Sequence, residues 1–256
     1  MFFYKKKLGQ NFVIDNGIAQ NIIKILKNNE NIVEIGPGNG ALTNFLYKKY
    51  QHNLHLIELD DSLIPILKQK FPLSNIYNEN VLNFNFNDIG KHINIIGNFP
   101  YNISHDIIFK IIENRSIIDQ VICMLQYEVV ERITAKPKTK SYGIPTVLVN
   151  AFFNTQLMFT VDKQNFYPVP KVQSAILQMT NKNITDLGCN ETSFFKTVKL
   201  AFSQKRKILK NNLKSVIDTN NVNDTYINSL MQNRAEELSI DDFIKLTNYI
   251  DVYRKN

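Results

Sequence analysis

Cysteine is scarce in this 256-residue sequence, and long apolar runs are absent from it. The two cysteines, Cys123 and Cys189, cannot build a disulfide framework, and Cys123 lies in an apolar run that predicts a buried strand. No stretch approaches the ~18 consecutive apolar residues of a membrane-spanning helix. The lysines near the start follow the aromatic residues, the wrong order for a secretory signal. These features exclude disulfide-rich secreted and membrane-spanning proteins and predict a reduced cytoplasmic protein.

Metal-ligand patterns and repeats are lacking as well. No internal repeat and no low-complexity tract is present, although asparagine and lysine are plentiful. Hydrophobic residues make up 44% and charged residues 21%, close to an ordinary globular protein. We expect no bound metal, because the histidines show no ligand spacing and are interpreted as structural or surface residues: His52, His55, His92 and His105.

Positive charge is in excess and unevenly distributed. The formal net charge is +7, which favours a polyanionic partner only weakly. Residues 192–217 contain seven lysines or arginines and no acidic residue. This stretch predicts a nucleic-acid-binding surface, with an ordinary solvated helix face as the alternative.

Apolar strands alternate with helical patterns in the first half of the chain, which predicts an α/β fold with a parallel, doubly wound sheet. Between residues 151 and 180 the pattern is strand-like, and it predicts a terminal β-hairpin. The predicted strands are 31–35, 54–58, 93–97 and 121–125. One helix is predicted to begin after a cap at Asp15, and three more are predicted over 41–50, 61–70 and 104–113.

The pattern changes after a polar linker at residues 180–183, beyond which only helical patterns follow. We therefore predict a large α/β domain over residues 1–181 and a small all-helical domain over residues 182–256. The expected helices of the second domain are 194–202, 204–217, 222–231 and 240–250.

A glycine-rich turn follows the first predicted strand, at residues 34–40. Gly36 and Gly38 belong to a Gly-x-Gly-x-Gly spacing, which differs from the Gly-x-Gly-x-x-Gly of dinucleotide-binding proteins. Dinucleotides place a pyrophosphate on the helix N-terminus, whereas S-adenosylmethionine has no phosphate and needs only close backbone approach. The turn therefore favours S-adenosylmethionine, although a plain tight turn would explain the glycines nearly as often.

Polar residues at the ends of the next two strands strengthen this interpretation. Glu58 lies 22 residues after Gly36, where a carboxylate can accept hydrogen bonds from both ribose hydroxyls. The alternative role of capping the next helix suits Asp60 and Asp61 better. A third element follows at residues 78–82, and Asn80, a polar residue at the end of this expected strand, is expected to hold the adenine of the cofactor.

The most specific motif is the loop Asn98-Phe99-Pro100-Tyr101 after a buried strand. An Asn-x-Pro-Tyr loop in this position is typical of methyltransferases that act on the exocyclic amine of adenine. Asn98 can accept hydrogen bonds from this amine, and Tyr101 can stack on the base. A Pro-containing structural turn is the alternative. The preceding cofactor motif favours the catalytic interpretation for Asn98, Pro100 and Tyr101.

Nearly the whole chain resembles the KsgA-type family of bacterial small-subunit ribosomal RNA adenine dimethyltransferases. The resemblance covers the glycine turn, Glu58, the Asn98 loop, and the segments 7–15, 166–175 and 201–207. It implies a Rossmann-like class I methyltransferase sheet with a small C-terminal helical domain that binds RNA or the ribosome. It also implies that Asn11, Val13 and Asn98 contact S-adenosylmethionine, and that Phe166 is a second stacking wall for the target base.

The implied activity is transfer of four methyl groups, two to each of two adjacent adenosines in a hairpin loop near the 3′ end of small-subunit RNA. The implied partner is the small ribosomal subunit, and we expect a monomer without membrane or metal partners. Three positions depart from the family pattern: Val13 and Phe99 replace leucine, and Asn80 replaces aspartate. The Asn80 change removes a charge and predicts lower cofactor affinity.

Two other functions stay open. A large-subunit dimethyltransferase of the macrolide-resistance type would share the cofactor and Asn-x-Pro-Tyr motifs, and the protein could act chiefly as a ribosome-assembly factor. The basic segment favours RNA binding: Arg206, Lys210 and Lys214 recur every four residues, which on a single helix would place them on one face. We predict that this face contacts rRNA phosphates.

Overall fold

A computed structural model describes residues 12–13, 15–27 and 31–254. These residues form two compact units. The first extends to Val130 and also includes Asn154–Asn183, and the second consists of Glu131–Phe153 and the chain from Ile184 onward. Each unit therefore contains residues from more than one stretch of sequence.

Strands β2 to β6 form the parallel part of the sheet in the first unit, in the spatial order β4-β3-β2-β5-β6. The described strands are β1 (Phe12–Val13), β2 (Asn31–Ile35), β3 (Leu54–Glu58), β4 (Asn75–Asn78), β5 (Ile93–Asn98), β6 (Ile118–Gln126), β7 (Phe153–Val161), β8 (Phe166–Tyr167) and β9 (Ser174–Asn181). The order reverses between β2 and β5, where open α/β sheets place their ligand sites. The predicted α/β class and parallel sheet are confirmed.

The sheet is extended by β9, which pairs antiparallel with β6, and then by β7. A separate two-stranded ladder joins β1 to β8, with Val13 opposite Phe166. The predicted hairpin region thus supplies two strands of the main sheet, and the short β8 pairs instead with the N-terminal segment.

The described helices are α1 (Asn16–Ile25), α2 (Thr43–Tyr50), α3 (Ile64–Lys70), α4 (Ser104–Glu113), α5 (Tyr127–Ile133), α6 (Ile144–Phe152), α7 (Glu191–Ala201), α8 (Leu209–Leu213), α9 (Thr225–Leu230) and α10 (Ile240–Tyr253). Asp15 caps α1 as predicted, because its side chain accepts a hydrogen bond from the Gly17 N–H group. The end of α1 is held by buried Gln120, which accepts from the Lys27 N–H group and donates to the Ile25 carbonyl.

The second unit is helical, and its core contains aromatic rings. Phe194 of α7 and Phe243 of α10 are fully buried, and the ring of Phe243 stacks on that of Phe202 with centroids 5.9 Å apart. Buried Tyr142 donates a hydrogen bond to the Leu238 carbonyl, which joins the segment before α6 to the segment before α10. Packing therefore places residues 131–153 with the C-terminal helices, whereas the sequence predicted that they belong to the domain 1–181.

The basic segment differs from the single helix predicted over residues 204–217. Residues 202–206 form turns, Ile208 forms an isolated antiparallel β-bridge with Arg234, and α8 contains only five residues. Asn212 holds these turns, because its side-chain amide donates to the carbonyls of Ala201 and Gln204. Arg206 precedes α8, so Arg206, Lys210 and Lys214 do not share one helix face.

Within the part of the chain that the structure describes, no helix is long and apolar enough to cross a membrane. The same residues contain no group of three or more histidine, cysteine or acidic side chains that could hold a metal ion.

Candidate active site

The carboxyl ends of the parallel strands surround a cavity of about 200 Å³ in the first unit. Its walls come from the segments that follow β2, β3, β4 and β5, with further residues from α1 and β6. The following predicted site residues line the cavity together: Gly36, Gly38, Glu58, Asn80, Asn98, Pro100 and Tyr101. Segments that are distant in sequence thus form one site.

The glycine turn brings backbone to the edge of this cavity. Gly36 and Gly38 have positive φ angles of 69° and 57°, in a region that side chains with a Cβ atom adopt at a cost. The Gly36 N–H group donates to the Ile57 carbonyl over 2.9 Å, which ties the turn to the end of β3. This geometry leaves backbone rather than side chains facing a ligand.

Glu58 is 5% exposed, and both carboxylate oxygens accept backbone hydrogen bonds. Oε2 accepts from Gly38 N–H over 3.0 Å, and Oε1 accepts from Asp60 N–H over 2.9 Å. Burial raises the pKa of Glu58, and these hydrogen bonds partly oppose the shift. A carboxylate has about four acceptor positions, so Glu58 keeps acceptor capacity for a ligand hydroxyl. Asp60 instead accepts from the N–H and hydroxyl groups of Ser62, as expected for a local cap.

Asn80 lies two residues beyond β4, half-buried at the cavity. Its Oδ1 atom accepts a hydrogen bond from Leu82 N–H over 3.0 Å. This bond fixes which end of the amide faces the turn, because a backbone N–H group can only donate.

Glu34 is a cavity residue that the sequence analysis did not identify. It is 2% exposed, and burial raises its pKa to about 8, an effect partly offset by the nearby Thr43 hydroxyl and increased by the charge of Glu58. Among the described residues, its Oε2 atom has no partner with hydrogen-bond geometry. A buried carboxyl group with a vacant acceptor at a cavity is suited to a cationic ligand group.

The loop after β5 is fixed by close backbone contacts. A Cβ atom on Gly97 would lie 2.4 Å from the Ile35 carbonyl oxygen, so β5 and β2 approach here more closely than a side chain permits. The Phe99 N–H group donates to the Met124 carbonyl, and the Phe99 ring is fully buried. This anchoring leaves Asn98 half-buried at the cavity.

Tyr101 is also half-buried at the cavity, and its hydroxyl lies 2.5 Å from the hydroxyl of Ser174. Burial raises the pKa of the Tyr101 phenol, and the Ser174 bond acts in the opposite direction. An amide, a proline and an aromatic ring are thus presented on one rim of a cavity that has carboxyl groups deeper in its wall.

Comparison with known proteins identifies the family. The family model for ribosomal RNA adenine dimethylase matches residues 1–252 of the chain. The chain belongs to this family. Ribosomal RNA small subunit methyltransferase A of Phocaeicola vulgatus is 38% identical to the dimethylase described here, over 98% of this chain and 91% of the relative.

Two solved structures share the fold of this dimethylase. A dimethyladenosine transferase from Plasmodium falciparum gives a TM-score of 0.81 at 24% identity and covers 94% of this chain and 98% of its own. The 23S rRNA methyltransferase ErmE gives 0.73 at 20% identity and covers 94% and 100%. A class I methyltransferase fold is therefore confirmed, and the chain is an rRNA adenine dimethyltransferase.

Of the expected site residues, one lies outside what the structure describes, a second is described only in its backbone, and a third lies away from the cavity. Asn11 is outside the described residues, and for Val13 only the backbone pairing in β1 is described. Phe166 is 1% exposed, packs within the main apolar core and is not part of the cavity lining. A ring buried in this way offers no face to a base. The neighbouring Tyr167 is 67% exposed instead.

Apolar residues of the dimethylase cavity were also missed by the sequence analysis. Leu59 and Val81 follow Glu58 and Asn80 and line the same wall, and Ile22 and Met124 line it from α1 and β6. Leu59 is 48% exposed, unusual for a leucine next to a buried carboxylate. Its position directly after the predicted ribose ligand was the only signal in the sequence.

Proposed function

We propose that the chain transfers methyl groups from S-adenosylmethionine to the N6 amines of two adjacent adenosines in a hairpin loop near the 3′ end of small-subunit (16S) rRNA. A role in small-subunit biogenesis accompanies this activity. The observation that carries the proposal is the Asn98–Tyr101 loop on the rim of the cavity that contains Glu58 in its wall. This arrangement would bring an adenine amine and a methyl donor together.

The cavity fits S-adenosylmethionine in chemistry. Glu58 has acceptors left for the ribose hydroxyls, and the vacant acceptor of Glu34 suits an ammonium group. Leu59 and Val81 supply apolar surface for the adenine ring, and Asn80 supplies an amide at its edge. When bound, this cofactor supplies an electrophilic methyl group on a sulfonium sulfur.

Asn98 would activate the target amine by accepting its hydrogen bonds. The lone pair of an adenine amine is delocalised into the ring, so the amine is a poor nucleophile. Hydrogen bonds to the Asn98 amide oxygen and a loop carbonyl favour tetrahedral nitrogen, which frees the lone pair for attack. No strong base is required, because the methylated nitrogen becomes acidic and can lose its proton to solvent.

The large-subunit alternative is disfavoured by sequence similarity rather than by fold. The neighbour named for 23S rRNA and the neighbour named as a dimethyladenosine transferase both share the fold, so fold does not discriminate. The relative at 38% identity is named as a small-subunit methyltransferase, and the similarity extends over 91% of its length. We therefore propose the small subunit as partner, with the basic residues of the second unit, including Arg206, Lys210 and Lys214, on its phosphates.

The test is transfer of labelled methyl groups to purified small and large subunits, followed by mapping of the modified base. We expect dimethylated adenosines in the small subunit alone. Asn98→Ala should lower turnover roughly 100-fold or more and should lower cofactor affinity far less. Modification of the large subunit would contradict the proposal. Subunit binding by wild type without methyl transfer would support an assembly factor instead.

A further inference from the structure

Tyr101 and Ser174 are joined through their side chains although 73 positions separate them in sequence. Their hydroxyl oxygens lie 2.5 Å apart, and Ser174 is fully buried. At this distance one hydroxyl donates to the other. The bond therefore connects the tip of a residue on the cavity rim to the interior of the first unit.

Both ends of this contact are held by hydrogen bonds to backbone carbonyl groups. Ser174 begins β9 opposite Gln126 of β6, and the next residue, Tyr127, donates from its N–H group to the Gln173 carbonyl over 2.9 Å. At the other end, the Tyr101 carbonyl accepts from the Ser104 hydroxyl at the start of α4. The Tyr101 side chain thus spans two fixed parts of the sheet domain.

We propose that Ser174 is a positioning residue for methyl transfer, which holds the Tyr101 ring in the orientation that the target adenine requires. The inference rests on the proposed function, since it assumes that the base stacks on Tyr101. A tyrosine side chain rotates about two torsions, and a hydrogen bond at its tip removes that freedom before substrate arrives. The base therefore meets a preformed stacking face.

The competing explanation is that Ser174 only satisfies a buried polar group. The two explanations differ in what they predict for turnover. A structural bond would change stability and leave the turnover of folded protein intact. A positioning bond would lower kcat for folded protein while the cofactor dissociation constant stays at the wild-type value.

A double-mutant cycle separates these cases. We expect Ser174→Ala and Tyr101→Phe each to lower kcat on small subunits by about three- to tenfold, the range of one hydrogen bond. The double variant should be no slower than the slower single variant, since both changes remove the same bond. Thr247→Val is the matched control, because it deletes another buried, hydrogen-bonded hydroxyl, in α10 of the second unit. Its kcat should equal that of wild type.

A second measurement does not depend on activity. In protein labelled with 13C at the tyrosine Cζ atom, the Tyr101 signal, assigned by its loss in Tyr101→Phe, should shift in Ser174→Ala and not in Thr247→Val. The inference would be overturned if the kcat loss of the double variant equalled the product of the two single losses. It would also be overturned if the Tyr101 signal were unchanged in Ser174→Ala. Failure of wild type to methylate small subunits would instead overturn the proposed function, and the NMR comparison would still report on the bond.

Discussion

At the scale of single residues, Glu58 stabilises the backbone around the cavity and is also the proposed ligand of the cofactor ribose. It holds the backbone of Gly38 and Asp60, and the proposed ribose bonds use its remaining acceptors. Glu58→Gln keeps the shape but removes the charge, so we expect cofactor affinity to fall by the ~1.5–3 kcal/mol of one charge-assisted hydrogen bond. Calorimetric titration with S-adenosylmethionine measures this. Asp61→Asn, an exposed neighbour, is the control, and equal affinity of both variants would exclude Glu58 as the ribose ligand.

Sequence spacing was enough to predict that Glu58, Asn98 and Tyr101 share one site, because Glu58 and Asn98 end parallel strands at the same sheet edge and Tyr101 lies three residues after Asn98. The spacing could not reveal Glu34, which is one polar position inside an apolar strand. Nor could it reveal Ser174, because contacts across 73 positions depend on strand order. The expectation that Phe166 stacks on the target base was also wrong. A sequence motif shows which residue is present, but it does not show the direction in which the ring points.

At the scale of elements, the close approach of the parallel strands β2 and β5 depends on Gly97. Gly97→Ala should destabilise the protein by about 1–3 kcal/mol or more, because its Cβ would overlap the Ile35 carbonyl. Urea unfolding measures the loss. Gly90→Ala is the control, since Gly90 and Gly97 both have positive φ angles, of 121° and 159°, but the atom nearest to a Cβ on Gly90, in the Asn31 side chain, is 4.0 Å away. Equal losses in both variants would mean that backbone conformation, not overlap, is the cause.

The basic segment should contribute to RNA binding even without forming one helix face. Replacing Arg206, Lys210 and Lys214 by glutamine should weaken small-subunit binding and reduce the slope of log affinity against log salt by up to about 2–3. Filter binding across a salt series measures this. The charge-matched control replaces three exposed lysines of the first unit: Lys48, Lys49 and Lys68. If both triple variants lose affinity equally, only net charge matters and the segment is not a phosphate site.

Helices and strands with clear start and stop signals in the sequence were predicted well, whereas those that depend on tertiary contacts were not. The predicted helix 104–113 coincides with α4, and strand 31–35 coincides with β2. Helices α5 and α6 lie between strand-like patterns and were missed. The helix expected over 204–217 is shortened because Asn212 binds the Ala201 and Gln204 carbonyls, which stabilises turns that periodicity cannot indicate.

At the scale of the whole molecule, Glu34 makes stability depend on pH. Its pKa in the folded state, about 8, lies above the ordinary value of 4.5, so folding favours the protonated form. Its contribution is complete below pH 4.5 and is lost as pH rises through about 8. Glu34→Gln has no proton to lose. We expect its stability relative to wild type to increase from pH 5.5 to 8.5, as measured by urea unfolding. Parallel pH profiles would show that Glu34 titrates normally.

Among the residues that the structure describes, the cavity lining contains the carboxyl groups of Glu34, Glu58 and Glu79 and no lysine, arginine or histidine. At neutral pH the proposed cofactor carries a net positive charge, and the product of methyl transfer carries none. Both ligands carry the ammonium group, and the donor also carries the sulfonium charge, so its entry favours proton release from Glu34 and Glu58 more strongly than entry of the product does. Alkaline conditions should therefore relieve product inhibition, and competition titrations at pH 6.5 and 8.5 would show whether the affinity ratio moves in this direction. The charge difference between reactant and product thus makes the competition between them for the cavity depend on pH.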